Sequence, residues 1–268
     1  MPKAIRAVLL GILPVLFLSM MGSLILRVQS AGKGISYLSA KGTIVDPSIG
    51  TTWYSIHRDG ELIGYARTSL EYAGDNQSQY ASIEETVIKV DGFGDDVFLT
   101  MQLSSVLDNA MKPLTLDGTV GLGAIQFTLT STRQEDAIQL VLSGMGTQFE
   151  RTLTFNEDLA TASSAYAIAA TRAQKAGEQF RFQTFDALSQ ADASFLLVSQ
   201  GTEMIKTPDG LVEARKFTVT KSSLSSEVWL DPKGRMLREE ASTYVSEITD
   251  LPSIRQFVES HPAVLESY

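Results

Sequence analysis

The chain has 268 residues, no cysteine, two histidines, and 31 acidic against 22 basic side chains, a formal net charge of −9. Without thiols there can be no disulfide, thiol nucleophile or thiolate metal site, and two histidines are too few for a histidine-rich zinc centre. No Asp or Glu precedes residue 31, so the remainder holds 19 basic side chains against 31 acidic ones; this argues against nucleic acid and anionic headgroups as partners, since both require a basic face.

Ala7 to Leu26 is a run of twenty residues without a charge. At 1.5 Å rise per helical residue, about 20 residues match the ~30 Å hydrocarbon core, and Pro14 is tolerated in such a helix. Lys3 and Arg6 with the start amine outweigh Arg27 and Lys33, which places the N-terminus in the cytoplasm. The expectation is a single-pass anchor over 1–30 in the inner (cytoplasmic) membrane, held there through residues 7–26, with the bulk of the chain periplasmic. A cleaved signal peptide is the competing reading, with small residues before Ala31; its apolar region is usually about 7–15 residues, shorter than this one. Both readings export the chain from about residue 31.

Residues 31–50 read as a tether, and a sheet domain is expected over 51–250. Thr51 to Arg58 alternates aromatic and β-branched residues with polar ones. Asp59-Gly60 suits a type I′ hairpin turn, and Glu61 to Tyr72 returns as the second strand. Further strands are predicted at 80–90, 96–106, 114–120, 124–130, 137–142 and 148–155, several with strict period-2 alternation. The period then changes. The Ala-rich stretch near 157–176 predicts a helix, with Asn156 or Asp158 as N-cap, Gly177 as stop, and Leu159, Ala162, Tyr166, Ala169 and Ala173 on its apolar face. Strands resume at 179–185, 194–200, 211–220, 223–230 and 235–242. Asp250, Leu251 and Pro252 open a short C-terminal helix within 251–268, where Leu251, Ile254 and Val258 can dock; the rest of that segment reads as a tail.

Trp53-Tyr54-x-Ile56 followed by Gly60-x-x-Ile63-Gly64-Tyr65 resembles the opening hairpin of exported bacterial β-sheet proteins of unknown function. Among these are the non-catalytic segments that precede transglutaminase-like domains. Phe185-Asp186, Gly201-x-Glu203, Ala214-x-Lys216 and Val228-Trp229-Leu230-Asp231-Pro232-x-Gly234-Arg235 are similar to the second half of the same domains. The resemblance covers most of residues 51–245 and implies a fold, a curved antiparallel sheet with a covering helix like that of lipoprotein carriers. A transglutaminase-type cysteine site cannot exist in a chain without cysteine.

No catalytic, cofactor-binding or metal-binding residues emerge from the sequence. Glu84 and Glu85 point to opposite faces of a regular strand. Asp91, Asp95 and Asp96 lack the spacing of a calcium loop and read as a solvated turn. Gly118, Gly121 and Gly123 lie between strands without the Lys-Ser/Thr of a phosphate loop and read as a turn. Ser143-Gly144-Met145-Gly146 is not a nucleophile elbow. His57 reads as a strand residue, and Glu239 and Glu240 as partners of Arg235 and Arg238 in cross-strand charge pairs. The expected fold class is α+β, an N-terminal transmembrane helix followed by a curved antiparallel sheet with one main covering helix. The expected function is a non-enzymatic extracytoplasmic binding or accessory module holding a lipid-like ligand or partner peptide on a concave sheet. A structural subunit of an envelope complex is the alternative, and a hydrolase would require the fold to bring distant acids together.

Overall fold

The computed structural model of the protein describes residues 46–74, 78–90, 97–135, 137–154, 160–186, 191–221 and 224–261. A meander of eight strands comes first: β1 (Gly50–Arg58), β2 (Glu61–Ala73), β3 (Gln79–Val90), β4 (Val97–Asp108), β5 (Pro113–Leu122), β6 (Ile125–Gln134), β7 (Ala137–Gly144) and β8 (Thr147–Thr154). Helix α1 (Ala162–Arg172) follows. A second meander comprises β9 (Gln179–Asp186), β10 (Ala191–Thr207), β11 (Gly210–Lys221), β12 (Leu224–Leu230), β13 (Met236–Ala241) and β14 (Val245–Thr249), and helix α2 (Leu251–Ser260) ends the described chain.

All these strands form one sheet in the order β8-β7-β6-β5-β4-β3-β2-β1-β14-β13-β12-β11-β10-β9. Almost every pairing is a local hairpin; the exception, β1 with β14 from Trp53↔Thr249 to His57↔Val245, zips the two meanders together. The opening hairpin turns where the sequence places it. Asp59 and Gly60 both have positive φ, 51° and 83°, as a type I′ turn requires.

The sheet must be rolled, because strands far apart in its order share one core. Leu107 on β4 and Phe180 on β9 belong to the same buried cluster. Nine strand spacings of about 4.8 Å would separate them by roughly 43 Å in a flat sheet. What joins them is α1, which lies inside the roll with Ala165, Ala167, Ile168, Ala169 and Ala170 all buried. Small side chains let the helix sit close against the strands on more than one side. Its N-cap is Thr161, whose side chain accepts from the Ser164 amide at 3.2 Å. At its other end Arg215 donates to the carbonyls of Ala170 and Ala173, a cation where the helix dipole favours one.

Helix α2 packs on the outside of the roll. Ile254 and Phe257 join Tyr65, Val87 and Phe98 there, and the Asp250 carboxylate caps it by accepting from the Ser253 amide at 3.0 Å. A third cluster, Leu116, Leu129, Ile138, Leu140 and Leu142, stabilises β5 to β7.

Several expectations are corrected. The fold is not the expected α+β arrangement of a sheet with one covering helix: one rolled sheet dominates it and α1 fills the roll rather than covering a face, while α2 is the C-terminal helix expected after Asp250. Neither helix is long and apolar enough to cross a membrane, and no such helix occurs among the described residues; residues 7–26 lie outside them. The helix predicted near 157–176 spans only Ala162–Arg172, with Ala162 exposed; burial is set by a surrounding sheet, so a single stripe misjudges it. Asn156, Asp158 and Leu159 lie outside the described residues. Strand β14 was not predicted, and β10 runs on through Gly201 (φ 99°) for 17 residues. Gly118 and Gly121 sit inside β5 rather than in a turn. A Cβ on Gly118 would come within 2.3 Å of the Gln102 carbonyl oxygen, so close strand approach explains that glycine.

Candidate functional site

Where α1 does not fill the roll, a cavity of ≈ 410 Å³ remains. Its walls come from the inner faces of β1 to β3, the first turns of α1, the β12–β13 turn, and β13 and β14. Alternation along the strands decides which side chains reach it. On β3, Ser82, Glu84, Thr86 and Ile88 face inward, whereas Glu85 turns to the other face. There it accepts the Tyr65 hydroxyl at 3.0 Å and the Arg67 guanidinium at 2.8 Å. The opposed orientation expected for Glu84 and Glu85 is what the sheet shows.

Glu84 is held at the start of α1. Ser163 donates its hydroxyl to Oε1 at 2.6 Å. Burial pushes the Glu84 carboxyl above the usual carboxylate range, with the Ser163 hydroxyl and amide acting in the opposite direction. Across the cavity, Glu239 on β13 accepts from Ser226 at 2.9 Å. Burial raises its pKa too, against hydrogen bonds from Ser226 and Tyr244 and the charge of Lys221. Three tyrosines share the lining: Tyr54 of β1, Tyr166 of α1 and Tyr244 before β14. Burial pushes Tyr54 up to about 12. Tyr166 is pushed well up by burial and then by the charges of Glu239, Tyr244, Glu84 and Tyr54, all of which line the same cavity. The apolar part of the lining includes Ile56, Leu70, Ile88, Met101, Met111 and Met236.

The fold thus brings together Glu84 and Glu239, which sequence reasoning did not connect. Glu239 was expected to pair with Arg235 or Arg238; instead Arg238 holds Glu240 and, at 3.0 Å, Glu247, and Arg235 holds Asp231 at 3.1 Å. The inward register of Glu239, opposite Val228 and Ser246, depends on the irregularity between Trp229 and Leu230, which no sequence signal announces. His57 and His261 are elsewhere, His57 on β1 beside a shallow depression with Arg238 and Glu247, His261 tilted against Phe257 with ring centroids 4.5 Å apart. Ser143 and Gly144 end β7, and Met145-Gly146 turns into β8. Asp91, Asp95 and Asp96 lie outside the described residues. No group of three or more His, Asp or Glu among the described residues converges as a metal site would.

The two carboxyls make stability depend on pH in a definite sense. A carboxyl with a raised folded-state pKa binds more protons folded than unfolded, so stability falls as pH rises from the unfolded pKa through the folded one. Glu84→Gln with Glu239→Gln is therefore expected to melt higher than the parent at pH 7.5, with the difference vanishing near pH 4. Thermal melts across that range check it; a parent melting point that rises with pH by more than the variant's would refute the assignment.

No protein-family model matches the chain, and no curated protein matches it. Among solved structures, it is similar in fold to a β-barrel-like protein of a domain of unknown function, DUF1849, from Brucella abortus. The TM-score is 0.55 at 11% identity, covering 75% of this chain and 95% of that one. A putative exported protein with a YmcC-like fold from Bacteroides fragilis aligns at 11% identity over 76% of this chain and 96% of that one, with a TM-score of 0.34. The first likeness shows a β-barrel-like fold, which agrees with the rolled sheet. Neither comparison carries a link to transglutaminase-like proteins.

The residues behind the resemblance noted in the sequence have structural work in this fold. Gly60 supplies the turn, and Gly64 lets β3 approach, since a Cβ there would meet the Val87 carbonyl oxygen at 2.1 Å. Glu203 accepts from the Trp229 indole, and Lys216 lies 4.7 Å from the Trp229 ring centroid. Glu203, Lys216 and Trp229 lie away from the cavity, whereas Tyr54, Ile56, Gly234 and Arg235 of the same motifs line it.

Proposed function

We propose that the protein is a non-catalytic binding module of an extracytoplasmic compartment, which takes a lipid-like, amphipathic ligand into the cavity beside α1. The observation that carries this reading is the cavity itself. Its ≈ 410 Å³ falls in the roughly 300–1,000 Å³ range of small-molecule sites, and its lining combines an apolar wall with a few convergent polar groups. Neither histidine faces it, and its polar lining combines carboxyls and hydroxyls with the cations Lys233 and Arg235, which are held in ion pairs by Asp46 and Asp231, an arrangement suited to holding a ligand. The uncharged stretch at 7–26 supports export of the chain. Native mass spectrometry of the full-length protein, gently extracted from its own cells, is the test. A retained small mass, lost on denaturation, is the expected result; a bare chain that also takes up no added amphiphile would overturn the reading.

A second reading, an assembly subunit, is favoured by one observation. Strand β8 ends the sheet and pairs with β7 alone among the described residues, leaving a row of backbone donors and acceptors that another strand can pair with. In the same experiment a stoichiometric protein partner without a small mass would select it.

A further inference from the structure

The charges around the cavity do not balance in the way its cations suggest. Of the cations around the cavity, Lys233 pairs with Asp46 at 2.8 Å and Arg235 with Asp231 at 3.1 Å, while Arg67 pairs with Glu85 at 2.8 Å on the other face of the sheet. Each of these carboxylates has a cation beside it. Glu84 and Glu239 are different: their partners are hydroxyl and amide donors, and among the described residues no cation stands within ion-pair distance of either. The charge of Lys221 also acts on Glu239. Tyr166 lines the same cavity as both.

We infer that the cavity is built for an organic ammonium head, with Glu84 and Glu239 as its counter-charge and Tyr54, Tyr166 and Tyr244 as its aromatic wall. The inference rests on the binding-module reading and adds the chemistry of the ligand to it. An ammonium group is attracted both by carboxylates and by the faces of tyrosine rings, an attraction that grows when water is excluded. Burial opposes ionisation of both carboxyls in the empty cavity; a cation between them offsets that desolvation through ion pairing at low effective dielectric. A compact divalent metal fits less well, because it wants six or more oxygen ligands at about 2.3 Å and no group of three or more His, Asp or Glu converges among the described residues. The ligand's apolar body would lie along Ile56, Ile88 and Met101, on the wall away from the acids.

The test titrates three amphiphiles of equal chain length, octyltrimethylammonium, octanoate and octyl glucoside, into the full-length protein below their micelle concentrations, by calorimetry at pH 7.5. The parent, the double variant Glu84→Gln with Glu239→Gln, each single variant, and Glu240→Gln as an outer-face control are compared, with a melting curve for each. The ammonium amphiphile is expected to bind at least about tenfold more tightly than octanoate, and to lose about tenfold or more in the double variant. Glu240→Gln should leave it unchanged. Equal binding of the three amphiphiles would keep the binding-module reading and overturn the ammonium head. Loss of ammonium binding in Glu240→Gln as large as in the double variant would assign it to the general surface charge and also overturn the inference. Binding of none of them to the folded parent would overturn both.

Discussion

Gly234→Ala is expected to destabilise the protein by about 3 kcal/mol or more, a drop of roughly 10 °C in melting temperature for a domain of this size. Two independent costs combine. Gly234 has φ of 86°, where an L side chain is disfavoured by about 1–2 kcal/mol. In addition, its new Cβ would stand 2.2 Å from the Ala167 Cα and 2.5 Å from the Ala167 nitrogen. These are backbone atoms of a helix enclosed by the sheet, so they cannot rotate aside. Gly210→Ala separates the two costs, because Gly210 has φ of 118° but nothing within 4 Å of its Cβ. Gly210→Ala should lose only the conformational part. Thermal melts of both variants decide the matter: similar losses would mean that the β12–β13 turn does not bear on α1. Gly234 also lines the cavity, so a displaced helix should weaken amphiphile binding in the same variant.

That glycine also shows how much of the fold could be read from the sequence. As part of Asp231-Pro232-Lys233-Gly234 it marks a turn by local chemistry alone, and the turn is there: the Asp231 carboxylate accepts from the amides of Lys233 and Arg235 at 2.9 Å each. Local chemistry also located the Asp59-Gly60 hairpin and the Asp250 cap, because a positive φ or an orphan amide is satisfied within a few residues. The packing of Gly234 on Ala167, 67 positions earlier, has no local signature. Nor does the pairing of β1 with β14, which joins the two meanders into one sheet. Once the sheet rolls, inward positions on β3 and β13 converge, and Glu84 meets the same cavity as Glu239. Alternation could assign each strand two faces; which face looked onto a helix, a cavity or solvent depended on the roll. The Ala-rich helix misled for the same reason, since a helix enclosed by a sheet buries several sides, whereas an amphipathic stripe describes a helix lying on one surface.

Phe217→Ala is expected to cost about 3–5 kcal/mol, the range for removing a fully enclosed aromatic side chain. Phe217 is 0% exposed and lies on β11 opposite Ser199 on one side and Val228 on the other. Its cluster includes α1 and reaches Leu107 and Met111 of the first meander. A natural domain has only about 5–15 kcal/mol in total, so this one substitution removes a large share. Leu211→Ala on the same strand, at a position 70% exposed, should change little. The location of the loss matters as much as its size. Trp53 stands in the first meander and Trp229 in the second, and they are the only tryptophans of the chain. Single-tryptophan backgrounds, Trp53→Phe and Trp229→Phe, therefore report the two halves separately by fluorescence. If α1 locks both meanders into one cooperative unit, Phe217→Ala lowers both fluorescence melts by the same amount in each background. A shift seen only through Trp229 would mean that the second meander unfolds alone, that the shared core around α1 contributes little to the first, and that the cavity between them is open in an intermediate that keeps β1 to β8.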